Sequence, residues 1–188
     1  MNVRSYQDPT APNIDVRIDD QFLSKSMYSE VVKKIIIPCT DVVFIMANDQ
    51  AIYLAHRSVY PSAAPWVVGG RIFFNDVTPA YSMARCVRRE TGMDIAPERF
   101  VFMYPVVYSW VQTQQGNHGG KNLALTFYCE ITPEEKEHIS ASLITSEYLS
   151  DFGLQRFDRE RLVKEKCHPA LIDFFDTLYP TSKVRNIN

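Results

Sequence analysis

The residues best suited to chemistry in this 188-residue chain lie between Gly69 and Gly92. The stretch opens on a glycine pair after an apolar segment and closes on a helical pattern that carries one carboxylate, Glu90. A glycine turn lets a ligand approach the backbone closely, and a carboxylate supplies the oxygen ligands that Mg2+ prefers. Residues of these types are suited to bind a phosphate-bearing ligand and a metal ion.

A helix must position that carboxylate. Thr78 is a suitable N-cap and Pro79 a suitable first residue, so the helix is predicted to run from Pro79 to about Thr91. Gly92 follows at the position where a left-handed residue ends a helix most easily.

Cys86, Arg89 and Glu90 share one face of this helix, because they are spaced i, i+3 and i+4. We expect the Cys86 thiol to be buried and inert, since no histidine lies near it in sequence. Arg89 is able to neutralise phosphate, because a guanidinium binds phosphate in a bidentate manner. A single glutamate beside arginines also fits an ordinary solvated salt-bridge face, and that alternative stays open.

The composition narrows the class of protein. With 46% hydrophobic and 12% aromatic residues, the chain suffices for one domain with its own core. A formal net charge of −2 gives no overall basic footprint for nucleic acid. The four cysteines show no C-x-x-C spacing, which predicts free thiols in a reducing cytoplasm. No apolar run reaches the roughly 20 residues that span a bilayer, and the N-terminus lacks the apolar region of a secretory signal. We expect a cytoplasmic protein that binds neither nucleic acid nor membranes.

Turn formers and apolar periodicity divide the chain into an arm (1–21), one domain (22–180) and a tail (181–188). A helix is expected within 21–34, and a hairpin turns at Asn48-Asp49. Pro38 should confine the strand segment 35–37 to the edge or the end of a sheet. Later strands are predicted near 100–110, 123–131 and 152–157, and later helices at 133–139, 159–166 and 169–178. This order predicts an α/β (α+β) sandwich with a mixed sheet.

The stretch resembles the Nudix box, G-x5-E-x7-R-E-U-x-E-E-x-G-U, in which U is aliphatic. The residues that match the motif are Gly70, Asp76, Arg85, Val87, Glu90, Gly92 and Met93. The spacing from Asp76 to Arg85 is one residue longer than in the motif, and Cys86 and Arg89 replace two of its glutamates. The resemblance implies a Nudix-like α/β/α sandwich and a hydrolase.

Segments on both sides of this stretch are similar to one Nudix branch, the GDP-mannose mannosyl hydrolases, over roughly residues 22–165. The matching features are Leu23, Tyr28, Val31 and Val32 before the first strand, Asp41 within it, His56-Arg57 at the end of the hairpin, and the segment WVVGGR. That branch also lacks the usual helical glutamates while it keeps the last one, which matches Glu90.

The resemblance implies a substrate and roles for individual residues. Such enzymes cleave a nucleoside diphosphate sugar at the sugar C1–O bond and release the sugar and the nucleoside diphosphate. By position, Arg57 and Arg71 clamp the diphosphate and Asp41 contacts the substrate. Glu90 and the backbone at Gly70 hold one Mg2+ ion. Arginines and a metal stabilise the negative charge that develops on a leaving diphosphate.

One departure concerns the general base. The branch uses a Gln-His pair in a late loop, and the matching region here, SASLITSEYLSDFGLQRF, has no histidine. Glu147 or Asp151 is the expected base, and the residues alone do not decide between them. His118, in a glycine-rich loop, is a candidate substrate contact, although a single loop histidine is more often solvated.

Alternatives remain open at this point. The lost glutamates and the missing histidine also fit a catalytically impaired Nudix-fold module that binds nucleotide sugars. A nucleoside diphosphate-X pyrophosphatase is a further alternative, because the usual Nudix reaction attacks phosphorus. The aromatic residues Tyr104, Tyr108 and Trp110 are able to stack a nucleobase, but alternating strand residues more often fill a core. The long segment before the first strand favours a homodimer.

Overall fold

A computed structural model describes residues 24–60, 63–112 and 119–180, with Lys25 described by its backbone alone. The predicted arm and tail, together with Leu23 and His118, lie outside the described residues. Among the described residues, no helix combines the length and apolar character that a bilayer crossing requires.

A mixed β-sheet forms the centre of the described residues. Its strands are β1 (Ile36–Ile45), β2 (Ile52–His56), β3 (Pro65–Trp66), β4 (Val68–Arg71), β5 (Val101–Trp110), β6 (Gly120–Glu130) and β7 (Leu154–Phe157). The helices are α1 (Lys25–Val32), α2 (Pro79–Thr91), α3 (Pro133–Ser142), α4 (Arg159–Lys164) and α5 (Pro169–Leu178), with a 3-10 turn at Pro97–Arg99. The main strand order is β3-β2-β1-β6-β5, and β4 pairs with β1 while β7 pairs with β2. β1 and β6 run parallel. The predicted α/β sandwich with a mixed sheet is confirmed.

The central strand differs in one respect from expectation. β1 is continuous through Pro38 and lies between β2 and β6, so of the two positions predicted for Pro38, a sheet edge or a strand end, the sheet edge does not apply. The predicted position near a strand end is confirmed, because pairing with β4 begins only at Cys39, opposite Arg71. The missing amide of Pro38 therefore falls just outside that ladder.

Helices pack on both faces of the sheet, because β1 presents apolar side chains to each of these faces. Val42 and Phe44 are fully buried in a core cluster that includes Met83 of α2. Val43 points the other way, into a cluster that includes Phe174 of α5. Successive strand residues face opposite sides, so an unbroken apolar run builds two cores at once.

Local signals set the bounds of α2 as predicted. The Thr78 hydroxyl accepts a hydrogen bond from the backbone N–H of Tyr81 at 3.1 Å, and Gly92 has a left-handed φ of 65°. The cysteines are free as predicted, and Cys86 is fully buried.

Candidate functional site

A cleft lies beside β1, β4 and β6, and Gly69 and Gly70 form part of its wall. The predicted glycine turn is wrong: both glycines lie within β4, because they pair with Asp41 and Thr40 of β1. Its charged, polar and aromatic lining comprises Tyr28, Asp41, Arg57, Tyr60, Trp66, Arg71, Arg89, Tyr108, Trp110, Lys121, Asn122 and Glu147, and its backbone wall includes Gly69 and Gly70. The predicted residues Asp41, Arg57, Gly70, Arg71 and Glu147 therefore converge on one site. Asp151 lies elsewhere, on an exposed turn beside Ser150.

Arg57 follows the end of β2 and is held there by the loop that carries Glu147. Its Nη2 donates to Glu147 Oε2 at 3.1 Å, and its backbone bridges to Tyr148. Its Nε is buried and has no hydrogen-bond partner. Buried donors without partners are rare in folded proteins, and an unpaired guanidinium N–H in a cleft is suited to an anionic ligand.

Arg71 ends β4 at the exposed rim of the same cleft. Its guanidinium carbon lies 4.1 Å from the ring centroid of Tyr28, a cation–π contact with α1. The backbone carbonyl of Arg71 accepts a hydrogen bond from Arg85 Nη2 at 2.8 Å. Both ends of the residue are thus fixed by neighbouring helices.

Asp76 and Arg85, two residues of the sequence motif, bind each other. Arg85 donates to both carboxylate oxygens of Asp76, at 2.8 and 2.7 Å, and the Phe73 N–H donates to Asp76 Oδ2 at 2.8 Å. Partial burial alone would raise the pKa of Asp76, but hydrogen bonds from Arg85, Ser82 and Phe73 lower it overall. Asp76 therefore holds the loop between β4 and α2 in place and does not face the cleft.

Glu90 lies behind the cleft and does not line it. Its carboxylate is 0% exposed, with one oxygen bonded to the Arg89 guanidinium and the other to the Tyr148 hydroxyl. Burial raises the pKa of Glu90. The hydrogen bond from Tyr148 and the charge and hydrogen bond of Arg89 oppose that rise. The pKa of the Tyr148 hydroxyl is also raised, by burial and by the Glu90 charge. Both oxygens of the Glu90 carboxylate are therefore already hydrogen-bonded to protein side chains.

Sequence reasoning missed Tyr148. It follows Glu147 directly in the loop where the resemblance implied a Gln-His pair, and it is 2% exposed. Its position next to the expected pair was the only available signal, because a tyrosine in a loop predicts no particular contact.

The donor set does not fit a Mg2+ ion. Among the described residues, no group of three or more His, Cys, Asp or Glu side chains is placed to hold a metal. A side-chain carbon added at Gly70 would lie 3.1 Å from Arg89 Nη2 and 2.9 Å from Cys86 Sγ. Arg89 Nη2 thus lies beside both Glu90 and Gly70, the two residues to which one metal ion was assigned.

Asp41 is the buried acid of the cleft, 7% exposed and paired in register with Gly69. Burial raises the pKa of Asp41 to about 7, against the lowering effects of Tyr108 and Arg57 and with a further rise from Glu90. A carboxyl of this kind changes charge near neutral pH.

The raised pKa of Asp41 predicts a stability change with pH. The folded protein keeps a proton that the unfolded chain releases above about pH 4, so this group lowers stability progressively from about pH 4 to about pH 7. Asp41→Asn removes that cost. Relative to wild type, the variant should gain on the order of 2 kcal/mol of unfolding free energy between about pH 5 and pH 8.

Urea unfolding at the two pH values measures this gain. Asp94→Asn is the matched control, since the Asp94 side chain is 74% exposed. A difference between Asp41→Asn and wild type that is the same at both pH values would show that Asp41 ionises normally.

Aromatic side chains line another part of the cleft. Trp66 and Tyr108 are only 4% and 5% exposed and pack edge to face, so they serve mainly as core. Trp110 stacks on Tyr108 with centroids 5.3 Å apart and is partly exposed. Its buried Nε1 has no partner, which leaves an indole donor beside the cleft. Tyr104 packs against Phe174 in the core beneath the sheet and does not line the cleft.

The chain matches no protein-family model and no curated protein in sequence. Solved structures do match its fold. The MutT protein from Methanosarcina mazei Go1 is 17% identical at a TM-score of 0.55, over 77% of this chain and 93% of that protein. The NUDIX domain of Shewanella oneidensis NrtR, complexed with ADP ribose, is 13% identical at 0.54, over 77% of this chain and 87% of the domain.

The longer NrtR from Shewanella oneidensis is 14% identical at a TM-score of 0.53, over 75% of this chain. The match covers only 61% of the NrtR chain. NrtR has also been solved in complex with a 27mer DNA. Identities this low establish architecture alone: the chain has the Nudix fold.

Proposed function

We propose that the cleft binds a nucleoside diphosphate sugar, GDP-mannose or a close relative, and that the protein hydrolyses it to the sugar and the nucleoside diphosphate. One observation carries this proposal, the convergence of four cationic side chains on a single cleft: Arg57, Arg71, Arg89 and Lys121. A diphosphate requires concentrated positive charge, and guanidinium groups match phosphate oxygens in bidentate geometry. Arg57 and Arg71 would stabilise the charge on the leaving diphosphate.

Two carboxyl groups in the cleft are suited to activate water. Glu147 lies at its wall, 3.1 Å from Arg57, and Asp41 has a pKa of about 7. A general base works best when its pKa is close to the working pH, which adds Asp41 to the candidates. Glu147 is favoured over Asp151, because Asp151 is not among the residues that line the cleft.

The class of ligand has independent support from fold. ADP ribose, bound by the NUDIX domain of NrtR, is a nucleoside diphosphate joined to a sugar. The similarity in fold supports a ligand with a diphosphate bridge, but it gives no information about which sugar is attached. The choice of GDP-mannose comes from the sequence resemblance of the flanking segments.

Incubation with GDP-mannose and identification of the products tests the proposal. We expect free mannose and GDP, whereas GMP and mannose 1-phosphate would assign the protein to the pyrophosphatases. Replacement of the general base should lower kcat by about 100-fold or more. Glu147→Gln and Asp41→Asn are therefore compared with Glu137→Gln, whose side chain is 75% exposed.

A second candidate is a module that binds nucleotide sugars without turnover. The full burial and double engagement of Glu90 favour it, since the one retained acid of the helical motif does not reach the cleft. Thermal stabilisation by GDP-mannose with no product formed would support this role. Because NrtR was solved with DNA, the expectation of no nucleic-acid partner stays a prediction. The homodimer and the cytoplasmic location stay predictions as well.

A further inference from the structure

We propose that the cleft recognises the diphosphate without a divalent metal ion, because Arg89 supplies beside Gly70 the positive charge that a metal would otherwise supply. This inference rests on the proposed binding of a nucleoside diphosphate sugar. It assigns Arg89 as a ligand-binding residue and Glu90 as the residue that positions it.

Arg89 is anchored on one side and open on the other. Its Nη2 binds the fully buried carboxylate of Glu90 and lies over Gly70. Its side chain is 45% exposed and lines the cleft. A guanidinium has five N–H donors, so the bond to Glu90 leaves donors free for a phosphate.

The carboxylate that a metal would need is not accessible. A metal ion at Glu90 would have to displace the Tyr148 hydroxyl, the Arg89 guanidinium or both. Tyr148 cannot withdraw easily, because its loop is hydrogen-bonded on both sides of that residue to the end of β2 and to the segment that follows it. The Ser58 N–H donates to the Glu147 carbonyl at 2.9 Å, and the Leu149 N–H donates to the His56 carbonyl at 2.9 Å. Mg2+ binds proteins through one or two carboxylates together with waters and substrate phosphates, and the one carboxylate assigned to it here already binds Arg89 and Tyr148.

The other charged side chains of the cleft also favour binding of a diphosphate without a metal ion. Its acids are Glu147, which is already bonded to Arg57, and Asp41, which is buried against Gly69. Among the described residues that line the cleft, the four cationic side chains outnumber these two acids. A lining with excess positive charge attracts a diphosphate directly and repels a free divalent cation.

Calorimetric titration of the full chain with GDP, in excess EDTA and again in excess MgCl2, tests this inference. We expect affinities that agree within about threefold. Arg89→Gln should weaken binding about 10- to 100-fold in both buffers, because a charge-assisted hydrogen bond is lost. Arg88→Gln, the neighbouring exposed arginine that pairs with Asp94, should bind like wild type.

Arg89→Lys guards against a folding defect, since it keeps the charge beside Glu90. It should melt near the wild-type temperature and bind GDP with intermediate affinity in EDTA. Binding that requires Mg2+, or that Mg2+ restores in Arg89→Gln, would overturn the inference and leave the proposed function standing. Failure of GDP and GDP-mannose to bind in either buffer would contradict the proposed function itself.

Discussion

Glu90→Ala should lower the free energy of unfolding by about 3 kcal/mol. The substitution leaves the buried Tyr148 hydroxyl without a partner and opens a cavity where the carboxylate was fully buried. Arg89 is 45% exposed and is able to turn towards water, so the loss should stay below that of a fully buried ion pair. Chemical denaturation at neutral pH measures the change.

The matched control for Glu90→Ala is Arg88→Ala, two residues away on the same helix. Arg88 and Asp94 are 72% and 74% exposed, so their ion pair should contribute at most about 0.5 kcal/mol. Wild-type stability for Glu90→Ala, combined with a loss of Mg2+-dependent turnover, would contradict the buried geometry and return Glu90 to the role of a metal ligand.

Gly69→Ala should destabilise the protein by at least about 3 kcal/mol and abolish ligand binding. A methyl group at this position would lie 2.3 Å from Asp41 Oδ1 and 2.4 Å from the Thr40 carbonyl oxygen. The second atom belongs to the backbone of β1, so a side-chain rotation does not relieve the contact. Separation of β4 from β1 would then displace both Asp41 and the two glycines of β4.

Gly92→Ala separates this steric effect from the general effect of replacing a glycine. Gly92 has a left-handed φ of 65°, but an added carbon would meet only Ser142 Cβ, at 3.8 Å. The strain should cost about 1 kcal/mol, and ligand binding should persist. Similar losses for the two variants would show that β4 is free to move away from β1. Thermal melts and GDP titration of both proteins provide the comparison.

Sequence predicted best those parts of the fold that local chemistry determines. Both ends of α2 follow from Thr78 and Gly92, whose effects reach only a few residues. The parallel pairing of β1 with β6 was not predicted, because it joins segments that are distant in the chain. For the same reason the sequence did not decide between a sheet edge and a strand end for Pro38, since the order of strands in a sheet is a property of the whole domain.

In the candidate site, too, the sequence predicted individual residues of the cleft better than it predicted contacts between distant residues. The family resemblance identified Arg57 and Arg71, and the structure brings them to one cleft. It also assigned Glu90 as a metal ligand, and did not predict that the Tyr148 hydroxyl would bind that carboxylate. That contact joins residues 58 positions apart and depends on where a late loop meets β2. Residue type alone does not show whether a carboxylate faces a ligand or the core.

The parallel pairing of β1 and β6 has a consequence for how the chain folds. Asn122 donates to Cys39 Sγ across this pairing, between residues 83 positions apart. A contact of such long range requires closure of a large loop, which slows folding. During synthesis, β1 would emerge early and remain without its central neighbour until residue 130 had left the ribosome. The hairpin with β2 is the first pairing available to β1, and nascent chains that stop before residue 120 should expose its apolar faces to chaperones.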